Sequence, residues 1–207
     1  MLLTLVRHAA TSWNTGGRVQ GQSDVPLSTL GEVQARALRE RFCGETVLLY
    51  SSPLSRARTT AALAFPDQSP TIDPRLSELN FGMFEGLTLS ERSALPEWHA
   101  WTREPFSTPA PGGESYGELY RRAGTWLESL PDAPHIVAVT HSGTIQTLLA
   151  HILQMETQSW RKRVYLDHTS VTRFVRSGSG LMLERLNDTR HLQTEKLLDL
   201  SEVRLER

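Results

Sequence analysis

The stretch "LLTLVRHAATSWN", residues 2–14, decides how the amino-terminal part of the chain folds. It begins with a short apolar run and then sets Arg7 and His8 side by side, ahead of small and polar residues. A short apolar run that stops at polar residues is typical of a buried strand. The sequence therefore predicts a buried strand over residues 2–6, with a cation and an imidazole at its carboxyl end.

Strands and helices alternate along the rest of the chain. Two more apolar runs predict buried strands, "TVLLY" (46–50) and "HIVAVT" (135–140). Periodic apolar positions predict helices at 28–44, 53–65, 115–130 and 142–153, and irregular helix at 88–104. Residues 71–79 are expected to be extended, and 170–176 and 181–187 to form a late strand pair joined across Ser177–Gly180.

This alternation predicts an α/β fold. We expect a three-layer α/β/α arrangement with a mostly parallel central sheet and one antiparallel edge strand. A small helical cap insertion is expected at about 87–112. Residues 1–207 are expected to form a single domain.

Composition narrows the class of protein. The 207 residues carry a formal net charge of -1, which gives no general attraction to nucleic acid or to an anionic membrane. The lone cysteine, Cys43, fits a reducing compartment. Because we find neither a signal peptide nor an apolar run of about 18 residues, we expect a cytoplasmic protein with no membrane partner.

Polar clusters follow three of the predicted strands. Arg7 and His8 follow the first, Arg56 in "SSPLSRART" the second, and His141 the third. Because ligands of α/β sheets bind beyond the carboxyl ends of the strands, these side chains are expected to meet there. Two guanidiniums, two imidazoles and two helix N-termini make an anion site suited to phosphate.

Such a site could also carry out phosphoryl transfer. A neutral histidine is a competent nucleophile, and neighbouring arginines lower the pKa of an imidazole and so favour its neutral form. The leaving alkoxide then needs a proton from a carboxylic acid. Glu78 in "LSELNFGMFEGLT" is the candidate, and Glu85 competes with it.

Several motifs together resemble the histidine phosphatase superfamily, the phosphoglycerate mutase-like enzymes. The resemblance covers residues 3–176 and is carried by "LVRHAATSWNTGGRVQGQSDVPLSTLGEVQA", "SSPLSRARTTA", "LSELNFGMFEG", "PGGES" and "VTHSG", in that order. It implies an enzyme that works through a phosphohistidine and needs neither metal nor cofactor.

The resemblance also implies a role for each matching residue. His8 would be the phosphorylated nucleophile and Glu78 the proton donor. The phosphate pocket would be formed by Arg7, Arg56 and His141. The substrate-binding residues would be Asn14, Gln20, Gly21, Thr11 and Ser142.

Four positions depart from the family's pattern. Ala9 stands where the family has glycine, which requires negative φ and room for a methyl group. Thr11 replaces Glu or Gln, Thr144 replaces a second glycine, and His168 stands where relatives often have asparagine. We expect none of these differences to touch Arg7, His8, Arg56 or His141.

The leading functional interpretation is a phosphomonoesterase that acts on a small phosphorylated metabolite, as a monomer or a homodimer. A cofactor-dependent phosphoglycerate mutase is the alternative, but only residues 87–110 separate Gly86 from Pro111, which is short for the mutases' insertion. A third possibility is a phospho-ligand-binding module with vestigial catalysis. The sequence leaves open whether the substrate is faced by Trp98, His99, Trp101 or Arg103.

Overall fold

A computed structural model describes residues 1–155, 163–178 and 180–192. Its strands are β1 (Leu2–Arg7), β2 (Leu48–Ser51), β3 (Thr71–Ile72), β4 (His135–Thr140), β5 (Val171–Ser177) and β6 (Gly180–Asp188). Its helices are α1 (Ser12–Thr15), α2 (Thr29–Arg41), α3 (Ser55–Ala64), α4 (Leu89–Ser93), α5 (Pro96–Arg103), α6 (Tyr116–Glu128) and α7 (Ser142–Ile152). Short 3₁₀ turns lie at Pro74–Leu76, Gly82–Phe84 and Arg190–Leu192.

The six strands form one sheet in the order β3-β2-β4-β1-β5-β6. Strands β3, β2, β4 and β1 are parallel to one another, whereas β5 runs antiparallel to β1 and β6 antiparallel to β5. The expected α/β fold with a mostly parallel sheet is confirmed. The sheet places β1 and β4 side by side at its centre.

Side chains of β1 alternate between the two faces of the sheet, as expected for a strand buried on both sides. Leu3 and Leu5 belong to the apolar cluster that includes residues of α6 and α7. Val6 packs on the other face, in the cluster that includes residues of α2 and α3. Helices therefore cover both faces of the sheet and make the three layers.

Two of the longer helices, α2 and α6, begin directly after a capping serine. Ser28 caps α2 by accepting a hydrogen bond from the Gly31 N–H, and Ser115 caps α6 in a capping box with Glu118. Helix α2 ends at Arg41, before the predicted stop at Gly44. The short helix α1 is not anticipated by the sequence, because four residues are too few to show a helical period.

The segment predicted as a cap, residues 87–112, contains α4 and α5. Trp101 is buried there and packs against Phe84, Phe81, Tyr116 and Trp98. Its indole is therefore part of the core that anchors the segment. The sequence predicts a single domain over residues 1–207, and part of that range lies outside the described residues. The predicted connection between the last two strands includes Ser179, which also lies outside them.

Candidate active site

The central strands end at the same level and so bring distant parts of the chain together. Arg7 at the end of β1 is in register with Thr140 at the end of β4. The His8 N–H donates to the Thr140 carbonyl at 2.8 Å, and the Ser52 N–H, just past β2, donates to the Val139 carbonyl at 3.0 Å. The residues that follow these strands therefore lie side by side at the carboxyl edge of the sheet.

His8 is almost completely buried, with 4% of its surface exposed. Its Nδ1 lies 2.7 Å from the Ala9 carbonyl oxygen, and a carbonyl can only accept, so Nδ1 carries the proton. Nε2 then carries the lone pair. Burial, followed by the charges of Arg56 and Arg7, holds the pKa of His8 well below its usual 6.5, so the ring is neutral.

His141 is the second imidazole of the site, and its ring centroid lies 5.1 Å from that of His8. The Nε2 atom is 2.8 Å from the Ser52 hydroxyl, whereas the buried Nδ1 has no hydrogen-bond partner among the described residues. Burial, Arg56 and His8 lower the pKa of His141 well below its ordinary value. The site therefore contains two neutral imidazoles.

Arg56 lies in the first turn of α3 and is completely buried. Its terminal nitrogens donate to the carbonyls of Ser23, at 2.8 Å, and Gly21, at 2.6 Å. Within the described part of the chain it forms no ion pair, and burial lowers its pKa. A buried guanidinium without a carboxylate partner is a favourable place for an anion to bind.

Arg7 approaches the site from β1 and is 4% exposed. Its guanidinium donates to the Leu166 carbonyl and to His168 Nε2, the latter at 2.9 Å. Together with Arg56 it lowers the pKa of both buried histidines, so the two cations flank the imidazole pair from different elements.

Glu78 lies in the segment between the first two 3₁₀ turns and reaches the start of α7. Its carboxylate accepts from the Gly143 N–H at 3.0 Å and from the Leu79 N–H at 2.9 Å. Because Gly143 follows His141 by two residues, this contact places the carboxyl group of Glu78 beside the imidazole pair. The structure thus brings Glu78 together with the four residues that follow the strands.

Arg122 of α6 holds the segment that carries Glu78. Its guanidinium donates to the carbonyls of Ser77 at 2.6 Å, Glu78 at 2.8 Å and Arg75 at 2.9 Å. It also forms an ion pair with Glu114 at 2.6 Å. One planar fork therefore fixes three backbone carbonyls around Glu78.

Glu85, the competing candidate for the proton donor, holds a different loop. Its two carboxylate oxygens accept from the N–H groups of Gln22, Ser23 and Phe81 and from the Ser23 hydroxyl. The same loop supplies the carbonyls that receive Arg56. The contacts of Glu85 are those of a structural carboxylate.

The loop after β1 contains most of the residues predicted to bind substrate. The completely buried Thr11 hydroxyl lies 3.0 Å from the side-chain oxygens of both Asn14 and Gln20. Gly21 has a φ of 54°, and a Cβ there would lie 2.0 Å from a Glu85 carboxylate oxygen. Ser142 is the first residue of α7. Their contacts with substrate stay predictions.

Two of the departures from the family's pattern have structural consequences. Ala9 is buried without the positive φ that would demand glycine. The expectation that no departure touches the four central residues is wrong for His168, which accepts a hydrogen bond from Arg7. At position 9 the contact with His8 is made by the backbone carbonyl, so it does not depend on the alanine side chain. His168 comes near because residues 164–170 run beside the end of β1, a long-range placement that spacing alone does not reveal.

Ser52, Arg122 and His168 are the neighbours of the site that the sequence did not identify. Ser52 had a usable signal, since it directly follows β2 as His8 follows β1. Arg122 had none, because an arginine within an amphipathic helix is more often a solvated surface residue.

The arrangement suits a tetrahedral oxyanion: two buried cations, two neutral imidazoles and a carboxylate at the rim. In the described ranges, no group of three or more His, Cys, Asp or Glu is placed to hold a metal ion. None of the helices that the structure describes has the length and apolar character needed to cross a membrane.

Comparison with known proteins defines the class. A family model for the histidine phosphatase superfamily (branch 1) matches residues 3–189. The chain belongs to this superfamily, whose members are phosphatases and mutases, so it is an enzyme of that class.

Individual relatives fall on both sides of that division. The chain is 34% identical to the probable phosphoglycerate mutase GpmB of Yersinia pestis over 95% of this chain and 97% of that protein. The phosphoserine phosphatase of Entamoeba histolytica, solved with 3-phosphoglyceric acid, is 29% identical with a TM-score of 0.83, covering 92% of this chain and 98% of that one. A mycobacterial glucosyl-3-phosphoglycerate phosphatase, solved with VO3, is 29% identical with a TM-score of 0.80, over 90% and 98%.

Proposed function

We propose that the protein is a phosphomonoesterase that hydrolyses a small phosphorylated metabolite through a phosphohistidine on His8. The observation that carries this proposal is the state of the His8 ring. Its proton is on Nδ1, its lone pair on Nε2, and its pKa is lowered beside two cations. A neutral imidazole in a cationic pocket is a nucleophile placed where a phosphate dianion binds.

In the first half of the reaction, His8 Nε2 attacks phosphorus and the bond to the leaving oxygen breaks. Arg7 and Arg56 neutralise the charge on the equatorial oxygens, and His141 adds a further polar contact. Glu78, in its acid form, gives its proton to the leaving alkoxide, which departs as an alcohol. The positive charge that develops on His8 is stabilised through the Nδ1–H bond to Ala9.

In the second half, water attacks the phosphohistidine. Glu78 is now a carboxylate and takes a proton from this water, which restores the acid. The bond between phosphorus and Nε2 breaks, and inorganic phosphate leaves with His8 neutral again. The balanced reaction converts one phosphomonoester and one water into an alcohol and phosphate, without a metal or a cofactor.

The test is hydrolysis of a chromogenic phosphomonoester in the presence of a chelator, for the wild type and for His8→Ala. We expect the wild type to keep its activity in the chelator and His8→Ala to lose roughly 1,000-fold or more in kcat. His151→Ala is the matched control, since that histidine lies near the carboxyl end of α7, away from the site, and contacts the Tyr120 carbonyl. Full activity in His8→Ala, or its loss with the chelator, contradicts the proposed mechanism.

A phosphoglycerate mutase is the second candidate, favoured by the relative at 34% identity. A mutase returns the phosphoryl group to a second hydroxyl before water reaches the phosphohistidine. A coupled assay compares the interconversion of phosphoglycerates with phosphate release from the same substrates. Interconversion faster than hydrolysis would replace the first proposal by the second.

The proposal includes the residues that bind the substrate, the partner and the location of the protein. The substrate-binding residues are Asn14, Gln20, Gly21, Thr11 and Ser142, with residues 87–112 as a cap beside them. The partner is a small phosphate ester rather than a nucleic acid. The net charge of -1 and the lone Cys43 support a cytoplasmic location.

A further inference from the structure

His168 stands within reach of the phosphate-binding machinery although it belongs to a different part of the chain. It is 8% exposed, its ring centroid lies 5.9 Å from that of His8, and its Nε2 lies 2.9 Å from an Arg7 terminal nitrogen. We propose that His168 is a positioning residue that directs the Arg7 guanidinium onto the bound phosphoryl group. This inference rests on the proposed function, in which Arg7 binds that group.

The chemistry of the contact fixes the state of the His168 ring. A guanidinium has five N–H donors and no acceptor, so Nε2 must accept the hydrogen bond from Arg7. His168 is then a neutral imidazole with its proton on Nδ1. The second terminal nitrogen of Arg7 donates to the Leu166 carbonyl. Both ends of the guanidinium are thus held by residues 166–168, which restrict its rotation before any ligand arrives.

The backbone around His168 is held in an uncommon conformation. Thr169 has a φ of 56°, in the left-handed region that a β-branched residue rarely adopts. Its N–H donates to the His8 carbonyl at 3.4 Å, and the Ser170 carbonyl accepts from the Arg7 N–H at 3.2 Å. His191 Nε2 lies 2.9 Å from the Thr169 hydroxyl.

A strained turn persists where its surroundings over-determine it, and such turns cluster at functional sites. Here the surroundings are the backbones of Arg7 and His8 themselves. The turn therefore couples the place of His168 to the end of β1, so that the imidazole and the guanidinium that it contacts are positioned together.

The experiment compares His168→Leu, which lacks the acceptor, with His168→Gln, which can place an oxygen near Nε2. Inorganic phosphate is the probe, as a competitive inhibitor of the hydrolysis of a chromogenic phosphomonoester. We expect His168→Leu to raise the Ki for phosphate and the KM about 10-fold, and His168→Gln to return both to within about 3-fold of the wild type. His151→Leu is the matched control, since this partly buried histidine lies near the carboxyl end of α7 and contacts Tyr120 of α6.

The melting temperature of each variant is measured beside its Ki for phosphate, so that a loss of folding is distinguished from a loss of phosphate binding. A Ki for phosphate in His168→Leu equal to that of the wild type overturns the proposal, and so does a rise in Ki that His168→Gln does not reverse. Wild-type hydrolysis inhibited by phosphate, with no effect of His168→Leu, leaves the proposed function standing while this inference fails. A wild type that neither hydrolyses the ester nor binds phosphate contradicts the proposed function instead.

A measurement on the unmutated protein covers the case in which His168→Leu does not fold. In protein labelled with ¹⁵N-histidine, the ring signals distinguish the two neutral tautomers. We expect His168 to carry its proton on Nδ1, with Nε2 as the acceptor. A ring protonated on Nε2 overturns the proposal whatever the variants do.

Discussion

At the scale of single residues, the hydrogen bond between His8 Nδ1 and the Ala9 carbonyl is the feature with the most chemical content. It assigns the lone pair to Nε2, and in the proposed reaction the Nδ1–H bond to the carbonyl would stabilise the positive charge on the ring. The alanine in place of glycine does not disturb this bond, because it is made by the backbone. The side chain at position 9 is therefore limited by the room available to it in the core, because the hydrogen bond to His8 does not involve that side chain.

The lowered pKa of His8 predicts how the proposed nucleophile responds to pH. Protonation would remove the lone pair as pH falls through the pKa, and the pKa lies well below 6.5. We therefore expect no loss of kcat/KM from His8 protonation between neutral pH and about 6.5. In an NMR titration, His8 should stay neutral throughout this range, and a midpoint at or above 6.5 contradicts the prediction.

The same NMR titration of His8 in the Arg56→Met variant tests the effect of the Arg56 charge. The charge of Arg56 is the second cause of the lowered pKa, after burial. Removing that charge should raise the pKa of His8, while burial keeps it below 6.5. An unchanged midpoint would mean that the cation lies too far away to act on the imidazole.

How far the sequence predicts the site depends on the kind of neighbour. Arg7 ends a buried strand and His8 and His141 directly follow one, so the expected sheet is enough to bring them together. His168 could not be found in this way, since its place depends on the left-handed turn at Thr169 and on the path of residues 164–170. A side chain that reaches the site through a turn leaves no periodic pattern in the sequence.

At the scale of elements, the loop at residues 20–23 is held between Arg56 and Glu85. Glu85→Gln replaces one acceptor oxygen by an N–H₂ group that faces N–H donors. Leaving such donors unsatisfied costs about 1–3 kcal/mol, so we expect the free energy of unfolding to fall by about 2 kcal/mol and kcat/KM to fall with it. Denaturant unfolding and initial-rate kinetics measure the two effects.

Glu91→Gln is the control for that substitution. Glu91 is an exposed carboxylate in the capping box of α4. Replacing it removes a carboxylate charge but leaves the contacts of Glu85 with residues 20–23 in place. We expect little change in kcat/KM. Equal effects of the two substitutions would show that the loop contacts of Glu85 do not matter for activity.

The contact of α6 with the Glu78 segment makes a second prediction at this scale. Arg122→Lys keeps the positive charge but loses the planar fork that binds three carbonyls. We expect kcat to fall about 10-fold, because Glu78, the proposed proton donor, is less well placed. Arg121→Lys, at the exposed neighbouring position, should leave kcat unchanged, and a similar kcat for both variants would contradict the role of the fork.

At the scale of the whole molecule, Asp188 connects β6, the edge strand of the sheet, with helix α2 through an ion pair. Its carboxylate binds Arg41 of α2 at 2.8 Å and Arg190 at 3.0 Å. The hydrogen bond from Arg41 is the largest cause of a pKa well below the usual aspartate value. The pair thus joins β6 to α2.

Asp188→Asn should destabilise the protein at neutral pH. Hydrogen bonds to charged groups contribute about 1.5–3 kcal/mol, so we expect the free energy of unfolding to fall by about 2 kcal/mol. Because the folded pKa is lowered, this contribution is complete above the unfolded value and is lost as pH falls through the folded pKa. The difference from the wild type should therefore shrink below about pH 4.

Denaturant unfolding at several pH values measures this difference, with Asp132→Asn at an exposed loop position as the control. A difference that does not depend on pH would mean that the carboxylate of Asp188 is not the source of the stability.

The general architecture was predictable from the alternation of apolar strands and amphipathic helices, but the order of the strands was not. Nothing in "LLTLVR" specifies that it lies between β4 and β5 rather than beside β2. Neighbours in a sheet are chosen by contacts over the whole molecule, whereas periodicity reports only on the local period. The same limit applies to β5, because the alternation of its apolar residues does not show whether it runs parallel or antiparallel to its neighbours.

The central place of β1 has a consequence for how the protein is made. Strand β1, which ends just before His8, is made well before the residues that pair with it, 135–140 and 171–175. During synthesis its backbone therefore lacks both neighbouring strands until these later residues have been made, and incompletely paired strands are prone to aggregation. Such long sequence separations raise the contact order, so completing the sheet should limit the rate of refolding.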